Sequence, residues 1–265
     1  MHVVVLIKQV LDPEIPARAF RVDRLLQVPN VDRAPYVMSV FDGNALEVAL
    51  KLREAKGGDV KITAVSLGPK GAEEMLRKAL ALTADAAVLI NAEANSMDSM
   101  GKAKLLAAAI RTLDAVDLIL AGRQAADWEA GQVGVMVAEE LGLPCVPFVS
   151  RINPDGGSLK LRRELDDGYQ TIRLPGPAVL TITNDETNVL RSAKVKDVMM
   201  AARKPLTTLS PADLGFSGEA AADPAIETLD LTVPEPRKRA EMIEGENLQA
   251  GARALARRLL ELGAL

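Results

Sequence analysis

The chain has 265 residues and a formal net charge of −4, and 48% of its residues are hydrophobic but only 3% aromatic. This length fits one large domain, or one domain with an additional arm, whose core is filled by aliphatic side chains and methionine. The acidic balance and the lack of an apolar run of roughly 20 residues argue against partners such as nucleic acid and against membrane insertion.

The N-terminal apolar run ends at Lys8, which makes it too short for a signal peptide, so we expect a cytoplasmic location. One cysteine, Cys145, cannot form an internal disulfide or a thiolate metal cluster. The single histidine, His2, lies at the start of the chain, which argues against a His-ligated zinc site and against a nucleophile–His triad. We therefore expect no metal and no catalytic side chain, and any redox chemistry requires a bound cofactor.

The first 145 residues alternate short apolar runs with helical patterns. The apolar runs predict four strands that are buried on both faces: Val3–Ile7, Val60–Leu67, Ala86–Asn91 and Val116–Ala121. The segments between and after them predict four helices: Asn44–Ala55, a stripe over 72–80, Ser99–Leu113 and Ala130–Leu141. Such alternation is typical of an α/β protein with a parallel, doubly wound sheet, whose ligands lie beyond the carboxyl ends of the strands.

Beyond Pro147 the pattern changes to alternating polar and apolar residues. It predicts a β-meander of three strands: Phe148–Ile152, Leu159–Arg163 and Tyr169–Leu174. A buried strand at Ala178–Thr183 and a helix at Ser192–Arg203 follow.

The C-terminal part has a different composition. From Lys204 to about Arg239, five prolines and little periodicity predict an extended arm. The segment Glu246–Leu262 then predicts a helix with an apolar stripe that needs a partner surface. The stripe consists of Leu248, Ala252, Leu255, Leu259 and Leu262. We therefore predict a main domain at 1–203 and a C-terminal arm with its helix at 204–265.

Two loops at predicted strand ends are suited to phosphate binding. The stretch Leu120–Gly134 follows a strand, opens a helix and contains recurring small residues, so its backbone N–H groups can face a phosphate. It is neither a G-x-G-x-x-G loop nor a Walker loop, and an ordinary βα turn is the alternative. The stretch Asp98–Lys102 opens another helix, where plain capping is the alternative to a second phosphate contact.

Residues 161–181 combine a basic residue, an acidic pair with glycine, a glutamine, an aliphatic residue and a proline before a buried strand. The residues of this pattern are Arg163, Asp166, Asp167, Gly168, Gln170, Ile172, Pro177, Val179 and Leu180. It resembles the signature of electron transfer flavoprotein β subunits. Further pieces that are similar to this family occur at 8–12, 44–50, 68–77, 122–132, 234–237 and 244–246.

The resemblance implies a Rossmann-like, adenine nucleotide-binding fold. The implied nucleotide-binding residues are Leu6, Ser39, Val40, Phe41, Asp42, Ser66, Asp98, Ser99, Gly122, Arg123, Gln124, Ala125, Asp127, Gln132 and Val133. In the common members of the family the nucleotide is AMP, and in the electron-bifurcating members it is an FAD that takes hydride from NADH. The runs 42–47, 98–99 and 122–124 favour FAD, whereas Ala130 and the pair Trp128-Glu129 depart from that pattern. We expect FAD, with AMP as the alternative.

The resemblance also implies a heterodimer with an α subunit. Electrons would pass between a flavin-dependent dehydrogenase, such as an acyl-CoA dehydrogenase, or NADH and a further acceptor. Residues 188–202 match the partner-recognition loop of the family, with Val195 at the anchor position and Arg191 as the preceding basic residue; an ordinary buried Val195 is the alternative. Val189-Leu190 replaces an acidic–proline pair in this loop. Whether the subunit is itself an enzyme depends on the bifurcating interpretation.

Two other classes share the adenine-binding fold. An ATP-using enzyme would need a Gly-Lys-Ser/Thr or Ser-Gly-Gly-x-Asp motif, and the sequence contains neither. A nucleotide-sensing stress protein fits the β/α half of the chain but leaves the meander and the arm unexplained.

Overall fold

The computed structural model describes residues 1–16, 19–23, 28–29, 34–94, 97–216, 224–226, 228–233 and 240–264. The chain divides into two compact units, Met1–Leu231 and Thr232–Leu265. The family-like residues 234–237 lie outside the described ranges.

Within the described part of the chain there are thirteen strands. They are β1 His2–Leu6, β2 Gln9–Leu11, β3 Val22–Asp23, β4 Val28–Pro29, β5 Tyr36–Met38, β6 Lys61–Gly68, β7 Ala86–Asn91, β8 Leu118–Gly122, β9 Cys145–Asp155, β10 Ser158–Leu165, β11 Gly168–Leu174, β12 Ala178–Ile182 and β13 Leu206–Leu209. Nine of these described strands form one sheet in the order β11-β10-β9-β12-β8-β1-β6-β7-β13. The pairs β2–β5 and β3–β4 form two small antiparallel ribbons in the connection after β1.

Along this sheet order, neighbouring strands from β9 to β13 are parallel. The pairs β9–β10 and β10–β11 are antiparallel. The central strand β1 pairs with β6 and β8, so that Val4 lies beside both Thr63 and Ile119. Val3, Val4 and Val5 are fully buried, because helices cover both faces of the sheet. The predicted fold class, an α/β protein with a meander, is confirmed.

The described helices are α1 Val40–Ala55, α2 Glu73–Ala81, α3 Ser99–Arg111, α4 Val133–Leu141, α5 Val195–Ala201 and α6 Leu248–Glu261. Helices α1 and α2 pack on one face of the sheet, and α3 and α4 pack on the other. Helix α4 begins three residues later than predicted, since Glu129 and Gly131 have φ of 52° and 64°, outside the helical region. Helix α1 begins four residues earlier than predicted, at Val40.

The predicted arm is divided in the structure. Strand β13 joins the sheet beside β7, with Leu206 opposite Ala87, and a short 3₁₀ helix follows at Ala212–Leu214. Residues 204–231 therefore belong to the first unit, and the boundary between the units lies at Leu231 rather than at Arg203.

The second unit contains α6, in which no described residue is buried. Leu248 is 95% exposed, and Leu255 and Leu262 are exposed as well. None of the helices that the structure describes is long and apolar enough to cross a bilayer.

Candidate functional site

The chain leaves the two central strands in opposite directions. The connection after β1 leads to β6 on one side, and the connection after β8 leads to β9 on the other. A parallel sheet opens a crevice at such a switch point, beyond the carboxyl ends of the strands. Leu6 ends β1, Gly122 ends β8, and Ser66 lies near the end of β6. The sheet thus brings together three residues of which the first and the last are more than a hundred positions apart in the sequence.

Asp42, in the first turn of α1, joins the ends of the two central strands. Its Oδ2 accepts a hydrogen bond from the backbone N–H of Lys8 at 2.8 Å, and its Oδ1 accepts one from that of Gly122 at 3.0 Å. The residue is 6% exposed, and burial raises the pKa of its carboxyl to about 7 although both N–H groups and Lys8 lower it. Because both oxygens bond to the backbone, Asp42 shapes the crevice rather than pointing at a ligand.

Gly122 is required by the close approach of α1. A Cβ at this position would lie 2.5 Å from Asp42 Oδ1, 2.7 Å from Phe41 Cβ and 2.9 Å from the Phe41 backbone carbon. The guanidinium of Arg123 lies over the ring of Phe41, 5.0 Å from its centroid. The start of α1 and the end of β8 therefore form one packed unit.

Positive side chains surround the same edge. Lys8 Nζ pairs with both carboxylate oxygens of Asp127, at 2.8 and 2.7 Å. Lys102, in the first turn of α3, has a pKa lowered mainly by burial and further by the charge of Lys8, and Asp127 and Asp98 oppose this shift. Sequence reasoning assigned no role to Lys8 or Lys102; Lys8 follows β1 by two residues, but nothing local indicates that Lys102 lies near it.

Two serine hydroxyls in the crevice are buried without a partner. Ser39 precedes α1 and Ser66 lies in β6, and they are 0% and 1% exposed. Ser39 Oγ, Ser66 Oγ and Arg123 Nε are three of the seven buried side-chain atoms in the described ranges that have no hydrogen-bond partner. An unsatisfied buried polar group costs about 1–3 kcal/mol. Such a group can hydrogen-bond a polar atom of a ligand, and a nucleotide offers such atoms.

The start of α3 is capped by Asp98. Its Oδ1 accepts a hydrogen bond from the Gly101 N–H at 2.8 Å, and its Oδ2 accepts one from the Ala225 N–H at 2.9 Å. The bond from Gly101 is the main reason why the pKa of Asp98 is lowered. Asp98 therefore serves as a helix cap, and Ser99, the first residue of α3, stands beside it.

The loop from β8 to α4 contains the remaining predicted positions. The backbone N–H of Arg123 bonds to Ile182 O at 2.8 Å, which fixes the loop to β12. Gln124 and Ala125 are half-buried, Asp127 pairs with Lys8, and Gln132 directly precedes Val133 at the start of α4. Val40, in contrast, is exposed at the start of α1.

The predicted recognition segment, 188–202, contains α5. Val195 begins α5 and is 79% exposed, so it is not the ordinary buried helix residue that was the alternative. Val198, Met199 and Met200 of the same helix are also exposed. Arg191, in contrast, pairs with Glu47 and Glu54 of α1.

No group of three or more His, Cys, Asp or Glu side chains in the described ranges is arranged to hold a metal ion.

Comparison with known proteins gives one consistent family. Residues 30–214 match the family model of the electron transfer flavoprotein domain. The chain is 37% identical to the electron transfer flavoprotein subunit beta of Thermoanaerobacterium thermosaccharolyticum over 214 residues, 80% of this chain and 79% of that one. It is 34% identical to the subunit beta of Bradyrhizobium diazoefficiens over 238 residues, 90% and 91% of the two chains. It is 33% identical to the caffeyl-CoA reductase-Etf complex subunit CarD of Acetobacterium woodii over 264 residues, 98% of each.

Proposed function

The chain belongs to the family of electron transfer flavoprotein β subunits, and we propose that it forms a heterodimer with an α subunit and passes electrons through bound flavin. We propose a flavin-dependent dehydrogenase or NADH as the electron donor. The similarity to a subunit of a caffeyl-CoA reductase-Etf complex over 98% of the chain supports a role beside another enzyme.

We further propose that the crevice binds an adenine nucleotide, and that this nucleotide is FAD rather than AMP. The observation that carries this proposal is a pair of buried hydroxyls without a hydrogen-bond partner. They belong to Ser39, which precedes α1, and to Ser66, which lies in β6. Lys8, Lys102 and Arg123 provide positive charge around them. When bound, the flavin supplies the redox chemistry, and the protein supplies binding and orientation.

The preference for FAD depends on two anion sites close together. The loop 122–133 and the N-terminus of α3 each offer backbone N–H groups. The charges of Lys8 and Asp127 beside that loop also act on the pKa of Lys102 in α3. Two such sites suit a diphosphate, whereas AMP requires one. Because Asp98 is occupied as a cap, we assign Ser99 as the phosphate contact of α3.

The nucleotide can be identified directly. After co-expression with its α subunit, the purified heterodimer should release two flavins and no AMP. One flavin with stoichiometric AMP would overturn the FAD assignment. The variant Ser99→Glu should lose the β-site flavin because it adds negative charge beside a phosphate, and Ser99→Gln, which is similar in size but neutral, is the matched control.

The second unit is the proposed contact with the α subunit. Helix α6 has a leucine stripe and no buried residue among those described, so its apolar face requires a covering surface. We expect removal of Thr232–Leu265 to abolish co-purification of the α subunit. The cut leaves β13 in place, which makes the folding of the first unit an internal control. Retention of the α subunit by the truncated chain would contradict this assignment.

Helix α5 is the proposed docking site for the dehydrogenase. Its exposed Val195, Val198 and Met199 form an apolar surface on the first unit. Exposed apolar side chains that are contiguous mark interaction surfaces more often than scattered ones do.

A further inference from the structure

A row of polar side chains runs along α1 away from the crevice. Asn44, Glu47, Lys51 and Glu54 follow one another in steps of three, four and three, and therefore lie on one face of the helix. All four contact the segment Thr187–Arg191, which precedes α5. We call these four side chains and the segment they hold the α1 clamp.

The first half of the α1 clamp fixes the backbone of the segment. Asn44 Nδ2 donates a hydrogen bond to Asn188 O at 2.8 Å, and Lys51 Nζ donates to Thr187 O and to Asn188 Oδ1. The other end of the Asn188 amide donates to Ser150 O of β9 at 2.7 Å. Asn188 is 2% exposed, so its bonds with Asn44 and Ser150 are shielded from water.

The second half of the α1 clamp is an ionic fork. Arg191 Nη2 lies 2.8 Å from Glu47 Oε1, Arg191 Nε lies 3.0 Å from Glu47 Oε2, and Nη1 pairs with Glu54. The backbone N–H of Arg191 also donates to Glu47 Oε2 at 3.2 Å. Glu47 is 4% exposed, and a buried carboxylate needs such a partner. The guanidinium therefore faces α1.

Helix α5 itself contributes little to its own placement. Within Val195–Ala201, Ala201 is the one residue that is buried. At this end of the helix, Arg77 Nη1 of α2 donates to Ala201 O and to Lys204 O, both at 3.2 Å. Helix α5 is thus held at its C-terminal end by α2, and its N-terminal approach is held by the α1 clamp.

We propose that Arg191 is a positioning residue that acts through the α1 clamp and does not contact the redox partner. The same helix carries Asp42 two residues before Asn44, so one rigid element places both the crevice and α5. A partner docked on α5 would therefore be held in a defined position relative to the crevice. The docking role of α5 rests on the proposed function, whereas the mechanical role of the α1 clamp does not.

Hydrogen exchange of the full-length chain tests this mechanical role without flavin or dehydrogenase. In Arg191→Gln, the amides of 192–201 should exchange about tenfold faster, because local opening of this segment no longer has to break the ion pairs of Arg191 with Glu47 and Glu54. The amides of β1 and β8 should be unchanged. Unaltered exchange in 192–201, or an equal increase in β1 and β8, would overturn the proposal.

Three further variants keep the test decisive if Arg191→Gln does not fold. Arg191→Lys retains the charge but loses the fork, and should give a smaller increase confined to 192–201. Glu47→Gln removes the buried partner of Arg191. Glu54→Gln removes only the exposed partner and is its matched control. With a dehydrogenase as electron donor, Arg191→Lys should raise KM and leave kcat and the bound nucleotide unchanged. Loss of the nucleotide or a lower kcat in Arg191→Lys would overturn the positioning role, whereas absence of electron transfer in the wild-type protein would count against the proposed function.

Discussion

The crevice and the docking helix use opposite patterns of burial. In the crevice, polar groups such as Asp42, Ser39 and Ser66 are buried. In α5, apolar side chains such as Val195 and Met199 are exposed. Proteins avoid both arrangements unless a ligand or partner compensates for them. The two regions therefore indicate two kinds of binding, one through polar contacts at the strand ends and one through apolar contacts on a surface.

The comparison predicts that substitutions in the crevice will affect folding as well as binding, whereas those on α5 will affect binding alone. Gly122→Ala should have the largest effect, since its Cβ would overlap Asp42 and the backbone of Phe41. We expect a loss of about 3 kcal/mol in unfolding free energy, measured by urea denaturation, and loss of the nucleotide. Gly176→Ala, where a Cβ meets nothing within 4 Å, is the matched control and should be nearly neutral.

Asp42→Asn should have the next largest effect. The amide keeps one acceptor but places its Nδ2 against a backbone N–H, at Lys8 or at Gly122. We expect weaker nucleotide retention, because the backbone N–H that faces Nδ2 loses its acceptor and the end of β1 or of β8 shifts. Full retention of the nucleotide would show that the carboxylate does not hold the crevice together.

The same residue gives a pH dependence with a definite sign. The pKa of Asp42 is raised to about 7 in the folded chain, mainly by burial, whereas an unfolded chain titrates at about 3.9. The folded state therefore binds the proton more tightly, and this contribution to stability is lost as pH rises from about 4 to about 7. Asp42→Asn should lack that part of the slope in urea denaturation at a series of pH values; an identical slope would assign it to other groups.

Val195→Ala should change docking without changing the fold. Since Val195 is 79% exposed, the unfolding free energy should change by less than about 0.5 kcal/mol. The KM for the dehydrogenase should rise about fivefold, which corresponds to about 1 kcal/mol of lost apolar contact. Val135→Ala on the exposed side of α4 is the matched control. Equal kinetics for the two variants would place the docking surface elsewhere.

The smallest effect is expected for Lys8→Met. The Lys8–Asp127 pair is partly exposed, and such pairs contribute about 0–1 kcal/mol to stability. Nucleotide release should become less dependent on salt, because one positive charge at the crevice is lost. A large loss of stability would show that this edge of the crevice is more deeply coupled to the core than its exposure indicates.

The sequence predicts β1, β6, β7, β8 and β12 well because each is a short apolar run, but it does not predict β13, which lies in the segment expected to be an extended arm. It predicts the loops at the strand ends for the same reason, as Gly122 and Ser99 show. It does not predict the α1 clamp, since Asn44, Glu47, Lys51 and Glu54 resemble the solvent face of an amphipathic helix. They contact a segment more than a hundred positions away, and no local pattern contains that contact.

Strand β13 has a consequence for synthesis on the ribosome. It pairs with β7 but follows it after two helices, five other strands and the docking segment. Until Leu206–Leu209 has left the exit tunnel, the edge of β7 presents unpaired N–H and C=O groups to other nascent chains. The first unit can therefore close its sheet only after residues 206–209 have been synthesised. The strand that closes it is four residues long, with Thr207 and Thr208 exposed, and a short polar edge of this kind is a poor template for association with a second chain.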